Sequence, residues 1–272
     1  MKKLSRVRIA LTLFVSLALT GCGVQGDSKE NNGQNNTTEK STEIIVSAAA
    51  SLRASLTELQ GTYSQKKPEV KVTLNFGGSG TLQQQVEQGA PADLFISAGK
   101  TQVDNLVKKN LLINDSIVNL LGNELVLITQ KDNQKLESIQ DLKLDSSEEI
   151  SIGTPETVPA GKYAMQSLTT LNLWDDIQPK LVLAKDVNQV LSYVETNNVD
   201  AGIVYKSDTL ISDKVKIVET IPNNTHDPIF YPAGIVSATK NQEVTADFLK
   251  YLQSEEAQKV FEKYGFKTKK QE

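Results

Sequence analysis

Two short stretches of this chain, Val46–Ser51 (VSAAAS) and Phe76–Thr81 (FGGSGT), are built alike. Each follows a β-branched run, consists mostly of small residues, carries a serine and opens an amphipathic helical pattern. A strand that turns into a helix through small residues leaves the first helical N–H groups without partners, beside a serine hydroxyl. Those donors and the positive end of the helix dipole form an anion site that needs no cationic side chain. Two such turns, one at Ser51 and one at Ser79, predict a protein that holds an oxyanion. Taken singly, each serine could equally cap its helix, the common use of serine at that position.

The other reactive groups are few. His226, in a polar loop between Asn224 and Pro228, is the only histidine, and Cys22 is the only cysteine. A Ser–His–Asp or Cys–His enzyme would have to be built around that one histidine, and no second His or Cys exists for a zinc or haem site. His226 is expected to be a solvent-exposed loop residue. The chain is read as a binding protein without catalytic residues or a cofactor. Organic carboxylates are usually fixed by a bidentate guanidinium, and Arg53 is the only arginine beyond Arg8. It is expected to face solvent in the first turn of its helix, with the rim of the anion site as its alternative place. The turn at Gly77–Gly80 lacks the Gly-Lys-Ser/Thr of a nucleotide-binding P-loop.

The elements that must position these turns alternate. Strands are expected at Glu43–Ser47, Val70–Phe76, Asp93–Ser97, Leu125–Thr129, Ile150–Gly153, Lys180–Leu183, Ala201–Tyr205, Val215–Glu219 and Gly234–Ser237. Helices are expected at Leu52–Gln65, Thr81–Gln88, Gln102–Lys109, Gly161–Leu171 and Val187–Asn197, with one or two more across Val244–Tyr264. The segment after Thr129, to Glu149, reads as irregular. This alternation is an α/β fold with largely parallel sheets, whose ligand crevices lie at the carboxyl ends of strands, where both serine turns fall. No internal repeat is visible in the sequence. The same strand–helix grammar before and after Gly122 nonetheless predicts two lobes, 43–122 plus 231–272 and 123–230, the last helices returning to the first lobe.

The N-terminus reads as a targeting signal. Lys2, Lys3, Arg6 and Arg8 precede an apolar run, Ile9–Leu19, too short to span a bilayer. It leads into Leu19-Thr20-Gly21-Cys22, which resembles the lipobox of bacterial lipoproteins. That resemblance implies cleavage of residues 1–21 and attachment of diacylglycerol to Cys22, giving a lipid-anchored protein on the outer face of the cell membrane. The polar stretch beyond, to residue 42, reads as a flexible tether. Losing the signal removes four positive charges and no negative ones, so the net charge moves from −4 to −8. An acidic chain disfavours a nucleic-acid partner and obliges an anion site to rely on local donors.

The motifs together identify a family. AAASL (Ala48–Leu52), FGGSGTL (Phe76–Leu82), EQGAPADLFISA (Glu87–Ala98), LLGNELVLI (Leu120–Ile128), PETVPAGKYA (Pro155–Ala164), AKDV (Ala184–Val187) and GIVYKSD (Gly202–Asp208) closely resemble the molybdate-binding proteins of bacterial ABC transporters, in order and at compatible spacing. The resemblance runs from Ile44 to Phe266. It implies a type II periplasmic-binding-protein fold, two α/β lobes that close on molybdate or tungstate and deliver it, as a monomer, to a membrane permease. It also implies a ligand set, the Ser51 and Ser79 hydroxyls, the backbone amides of Ala160 and Val187, and the Tyr205 hydroxyl, with molybdenum held only as its oxyanion. The residues read alone are compatible with this. Pro159 reads as a first helical residue, exposing the Ala160 and Gly161 N–H groups. Asp186 reads as the N-cap of its helix, Tyr205 as either a ligand or a core aromatic, and Gly77, Gly78 and Gly80 as positions where backbone approaches the anion. Sulfate or another tetrahedral oxyanion on the same fold is the alternative.

Overall fold

The computed structural model describes residues 41–144 and 147–268. The signal segment, Cys22 and nearly all of the tether lie outside the described residues. Among those described, the strands are β1 (Thr42–Ala49), β2 (Val70–Gly77), β3 (Leu94–Ile96), β4 (Val118–Gly122), β5 (Leu125–Gln130), β6 (Ile150–Gly153), β7 (Leu181–Ala184), β8 (Ala201–Tyr205), β9 (Val215–Thr220) and β10 (Phe230–Ile235). They form two five-stranded sheets, ordered β2-β1-β3-β10-β4 and β7-β6-β8-β5-β9. No helix among these residues is long and apolar enough to cross a membrane.

The two sheets share one plan. In each, three parallel strands lie side by side, and an antiparallel strand, β10 or β5, separates them from the last. The sheets are therefore mixed, where the sequence pattern suggested mostly parallel ones. The reason is that each antiparallel strand arrives by a crossover from the other sheet, β5 directly after β4 and β10 after β9. Helices cover the parallel strands, so β8 and most of β1 and β5 are buried and read as continuous apolar runs rather than alternating ones.

Several elements differ from expectation. β4, which flanks β10, lacks alternation in its VNLLG sequence and was not anticipated. β10 begins four residues before the expected strand. Its Pro232 lies at a shift of register against β4, where a missing N–H is tolerated, and that proline masks the strand in the sequence. Within the stretch read as irregular, Ser138 and Asp141 form a capping box over a 3₁₀ turn, Ile139–Lys143. Short helical turns at Trp174–Ile177 and Lys206–Thr209 are further additions. The C-terminal stretch is two helices, Gln242–Leu252 and Glu255–Lys263, that pack on the helix Arg53–Lys66. There the Tyr63 hydroxyl donates to Asp247 at 2.9 Å, its ring lies 4.9 Å from that of Phe248, and Glu58 accepts from Lys263 and Tyr264.

The crossover between β4 and β5 is only Asn123 and Glu124. Glu124 is held by Lys206 at 2.9 Å and Lys267 at 3.1 Å, and Lys206 first among these keeps its carboxyl below the usual range. Lys267 also exchanges two backbone hydrogen bonds with Gly122. The chain's last described residues thus clamp the point at which it passes from one sheet to the other.

Candidate functional site

Four helix starts meet where the sheets face one another. Ala50–Leu52 leads into Arg53–Lys66 after β1, and Ser79–Glu87 follows β2. From the other side come Pro159–Thr170, after β6, and Val187–Glu195, after β7. Local sequence fixes each start. Small residues turn the chain at the first two, Pro159 occupies the first position of the third, and the Asp186 carboxylate accepts from the Gln189 N–H at 3.0 Å to cap the fourth.

Between them lies a cavity of about 10 Å³, lined by Ala49, Ala50, Ser51, Gly77, Gly78, Ser79, Ala98, Val158, Pro159, Ala160, Asp186, Val187 and Tyr205. That is the space of about one water, far below the roughly 300–1,000 Å³ of sites for organic ligands. The lining holds no lysine or arginine. All five residues carried over from the family's motifs, Ser51, Ser79, Ala160, Val187 and Tyr205, border this one cavity. Ala160 is the second residue of its helix and Val187 the first, so neither N–H has an acceptor within its own helix.

Neither serine caps a helix. Gly78, not Ser79, stands at the N-cap, and no side-chain cap bond occurs there or before Ala50. Instead Ser79 Oγ accepts from the Ala98 N–H at 3.1 Å, and Ser51 Oγ lies 2.9 Å from the Tyr231 hydroxyl. The Tyr205 hydroxyl donates to the Ala98 carbonyl at 3.2 Å. Ala98 thereby touches one site residue from each sheet, a role for its backbone that its side chain does not advertise. Tyr205 is fully buried, and burial pushes its phenol well above the ordinary range, so it stays a neutral donor. Beneath it, Asp208 Oδ2 accepts from the Tyr205 N–H at 3.0 Å. Burial, opposed by the Tyr205 N–H and reinforced by Asp186, pushes the Asp208 carboxyl up to about 8, which favours its neutral form at pH 7 and keeps negative charge away from the cavity.

Gly77 and Gly78 line the cavity, and Gly78 and Gly80 have a further, steric reason to be glycine. A Cβ on Gly78 would sit 2.6 Å from the Lys185 carbonyl oxygen, and one on Gly80 would sit 2.7 Å from Thr157 Cα. The Gly80 N–H donates to the Thr157 carbonyl at 2.8 Å. What these two positions admit is the backbone of the opposing half; Gly77, whose Cβ would make only ordinary contact with Leu82, is not crowded in this way. Asn188 Nδ2, donating to the Ala50 carbonyl at 3.1 Å, is a further stitch across the seam.

The remaining candidates lie elsewhere. Arg53 is exposed, its guanidinium 4.6 Å from the centre of the Phe76 ring, and does not line the cavity. His226 is half-buried rather than exposed. Its ring packs 5.7 Å from that of Tyr163, and Nδ1 lies 2.7 Å from the Asp227 carbonyl. Tyr231 and Asn123 were missed by sequence reasoning. No local pattern pairs Tyr231 with Ser51, and its adjacent proline hides the strand that carries it.

Two mixed sheets with a small cavity of helix starts at their seam are the architecture of a periplasmic-type binding protein, type II. The chain belongs to the bacterial extracellular solute-binding proteins, whose family model matches residues 44–267. Members of this family bind solutes and are not enzymes. The chain is 46% identical to YvgL of Bacillus subtilis, provisionally named an ABC transporter substrate-binding lipoprotein, over 97% of this chain and 98% of that one. It is 41% identical to the molybdate-binding protein ModA of Haemophilus influenzae, over 84% and 91% respectively. A solved substrate-binding domain from Clostridium difficile, provisionally assigned to a molybdenum ABC transporter, shares 46% identity with a TM-score of 0.66, covering 84% of this chain and 99% of that domain.

Proposed function

We propose that this protein captures molybdate, and also tungstate, outside the cell membrane and delivers it to the permease of an ABC transporter. The observation that carries the reading is the convergence of four helix starts and Tyr205 on one small cavity lined by no cationic side chain. A fully deprotonated tetrahedral oxyanion offers only acceptors, so its natural partner is a set of donors. Ser51 and Ser79 supply hydroxyls, Ala160 and Val187 supply amides, and Tyr205 supplies a hydroxyl whose single proton turns from the Ala98 carbonyl to the anion when it binds. Each hydrogen bond to a charged ligand contributes about 1.5–3 kcal/mol, and several together reach the roughly 8–12 kcal/mol of micromolar to nanomolar affinity. The relatives named molybdate-binding proteins support this choice of ligand.

Segments 43–122 plus 231–272 and 123–230 act as the two lobes. Donors from both are brought together only when they close, so ligand capture and closure are coupled. Closure changes the surface presented to the permease. The protein works as a monomer, tied to the membrane through diacylglycerol on Cys22 after residues 1–21 are removed; the name of the Bacillus relative supports the anchor.

Thermal unfolding with molybdate, tungstate, sulfate and phosphate tests the ligand. Molybdate and tungstate are expected to raise the melting temperature at micromolar concentration, and sulfate and phosphate to leave it unchanged. Stabilisation by sulfate alone would overturn the assignment. For the anchor, Cys22→Ala is expected to release the protein into the medium.

A further inference from the structure

We propose that Tyr231 is a positioning residue that aims the Ser51 hydroxyl proton at the bound oxyanion. The inference rests on the reading of the cavity as an oxyanion site, and the direction of one hydrogen-bond chain carries it. Asn123 Oδ1 accepts from the Glu124 N–H at 2.9 Å. A backbone amide can only donate, so this contact identifies the amide oxygen and places the nitrogen on the opposite side. Asn123 Nδ2 then donates to Ser207 Oγ at 2.9 Å and to the Tyr231 hydroxyl oxygen at 3.2 Å.

Tyr231 must therefore accept from Asn123. It is fully buried, and Ser51 Oγ, 2.9 Å away, is the acceptor the structure offers its own proton. The opposite arrangement, Ser51 donating to Tyr231, would leave a buried phenol proton without a partner, which is costly. Satisfying every group gives one direction, Asn123 to Tyr231 to Ser51, with the serine proton left for the cavity. Ser79 is served in the same manner by the Ala98 N–H. Both serines thus receive a hydrogen bond from behind and present a donor in front, which a ligand made of acceptors requires. The ring of Tyr231 is held independently of this chain, 5.3 Å from Phe266 and 5.7 Å from Tyr205, so removing the hydroxyl leaves its packing in place.

Titration calorimetry on a mutant cycle tests the proposal, using whichever of molybdate, tungstate or sulfate binds the wild type most tightly. Tyr231→Phe is expected to weaken binding about tenfold, the scale of one hydrogen bond to a charged group. In the Ser51→Ala background the same change is expected to cost less than about twofold, whereas with Ser79→Ala the losses should multiply. A purely structural role would reduce affinity by the same factor in both backgrounds, and that result would overturn the proposal. So would an unchanged affinity of Tyr231→Phe beside a weakened Ser51→Ala, which would leave the oxyanion reading intact. Failure of the wild type to bind any of the three ions would overturn both. Should Tyr231→Phe not fold, judged by its ligand-free melt, Asn123→Ala takes its place in the same cycle with the same expected dependence on Ser51.

Discussion

The two sides of the seam offer hydrogen-bond donors of different kinds. The side built on β1 and β2 presents Ser51 and Ser79, side-chain hydroxyls whose protons can turn and whose direction is set by Tyr231 and by the Ala98 N–H. The side built on β6 and β7 presents the Ala160 and Val187 amides, fixed by the helices they begin. Hydroxyls can be retuned by their neighbours and deleted by one substitution. Amides are not retuned in this way, and only proline deletes one. The comparison also divides the glycines. Gly78 and Gly80 make room for the opposing side, whereas Gly161 makes room for Gly153 within its own side.

The largest expected effect breaks the seam itself. Gly80→Ala should fold normally with the halves apart, because the three atoms nearest its added methyl all belong to Thr157 across the seam. Molybdate affinity by calorimetry should fall on the order of a hundredfold, with the ligand-free melting temperature within about 2 °C of wild type. Gly161→Ala should do the reverse, lowering that melting temperature by more than about 5 °C. Equal melting temperatures for the two variants would sink the distinction.

Next come the hydroxyls. Ser51→Ala and Ser79→Ala should each weaken molybdate binding by about tenfold or more, and each should also lower the ligand-free melting temperature slightly, because the buried Tyr231 hydroxyl or the Ala98 N–H loses its acceptor. A smaller effect belongs to Asp208. Its carboxyl sits near 8 in the fold and about 4 unfolded, so the folded state keeps a proton that the unfolded chain gives up between those values. The ligand-free melting temperature should therefore decline as pH rises from about 4 to 8 and level off beyond. Molybdate affinity should fall above pH 8, where the charge appears beneath Tyr205. Asp208→Asn should flatten both profiles, and an unaltered affinity profile in that variant would remove Asp208 from the account. The smallest effect tests the amide side. Val187→Ala keeps the N–H and should change affinity by less than about threefold.

Much of this comparison was legible in advance, for reasons that differ residue by residue. Small residues before a serine, proline at a first helical position and aspartate before Val187 are local signals, and the structure puts a helix start at each. The meaning of Gly78 and Gly80 was not legible, because the backbone they admit, at Thr157 and Lys185, is distant in sequence. Tyr231 was hidden by Pro232, and the order of the sheets by two crossovers that carry no composition of their own. Arg53 and the serine caps show the converse, local signals whose alternatives only tertiary contacts decide.

The position of β10 has a consequence for how the chain can be made. It pairs on one side with β3 and on the other with β4, so the first sheet stays split until residue 235 has left the ribosome. A fragment ending at Gly122 would carry four strands of that sheet and still lack the one that joins them. Closing that sheet must wait until β10 has been made, so the growing polypeptide carries the strands on either side of it unjoined throughout the synthesis of the second sheet.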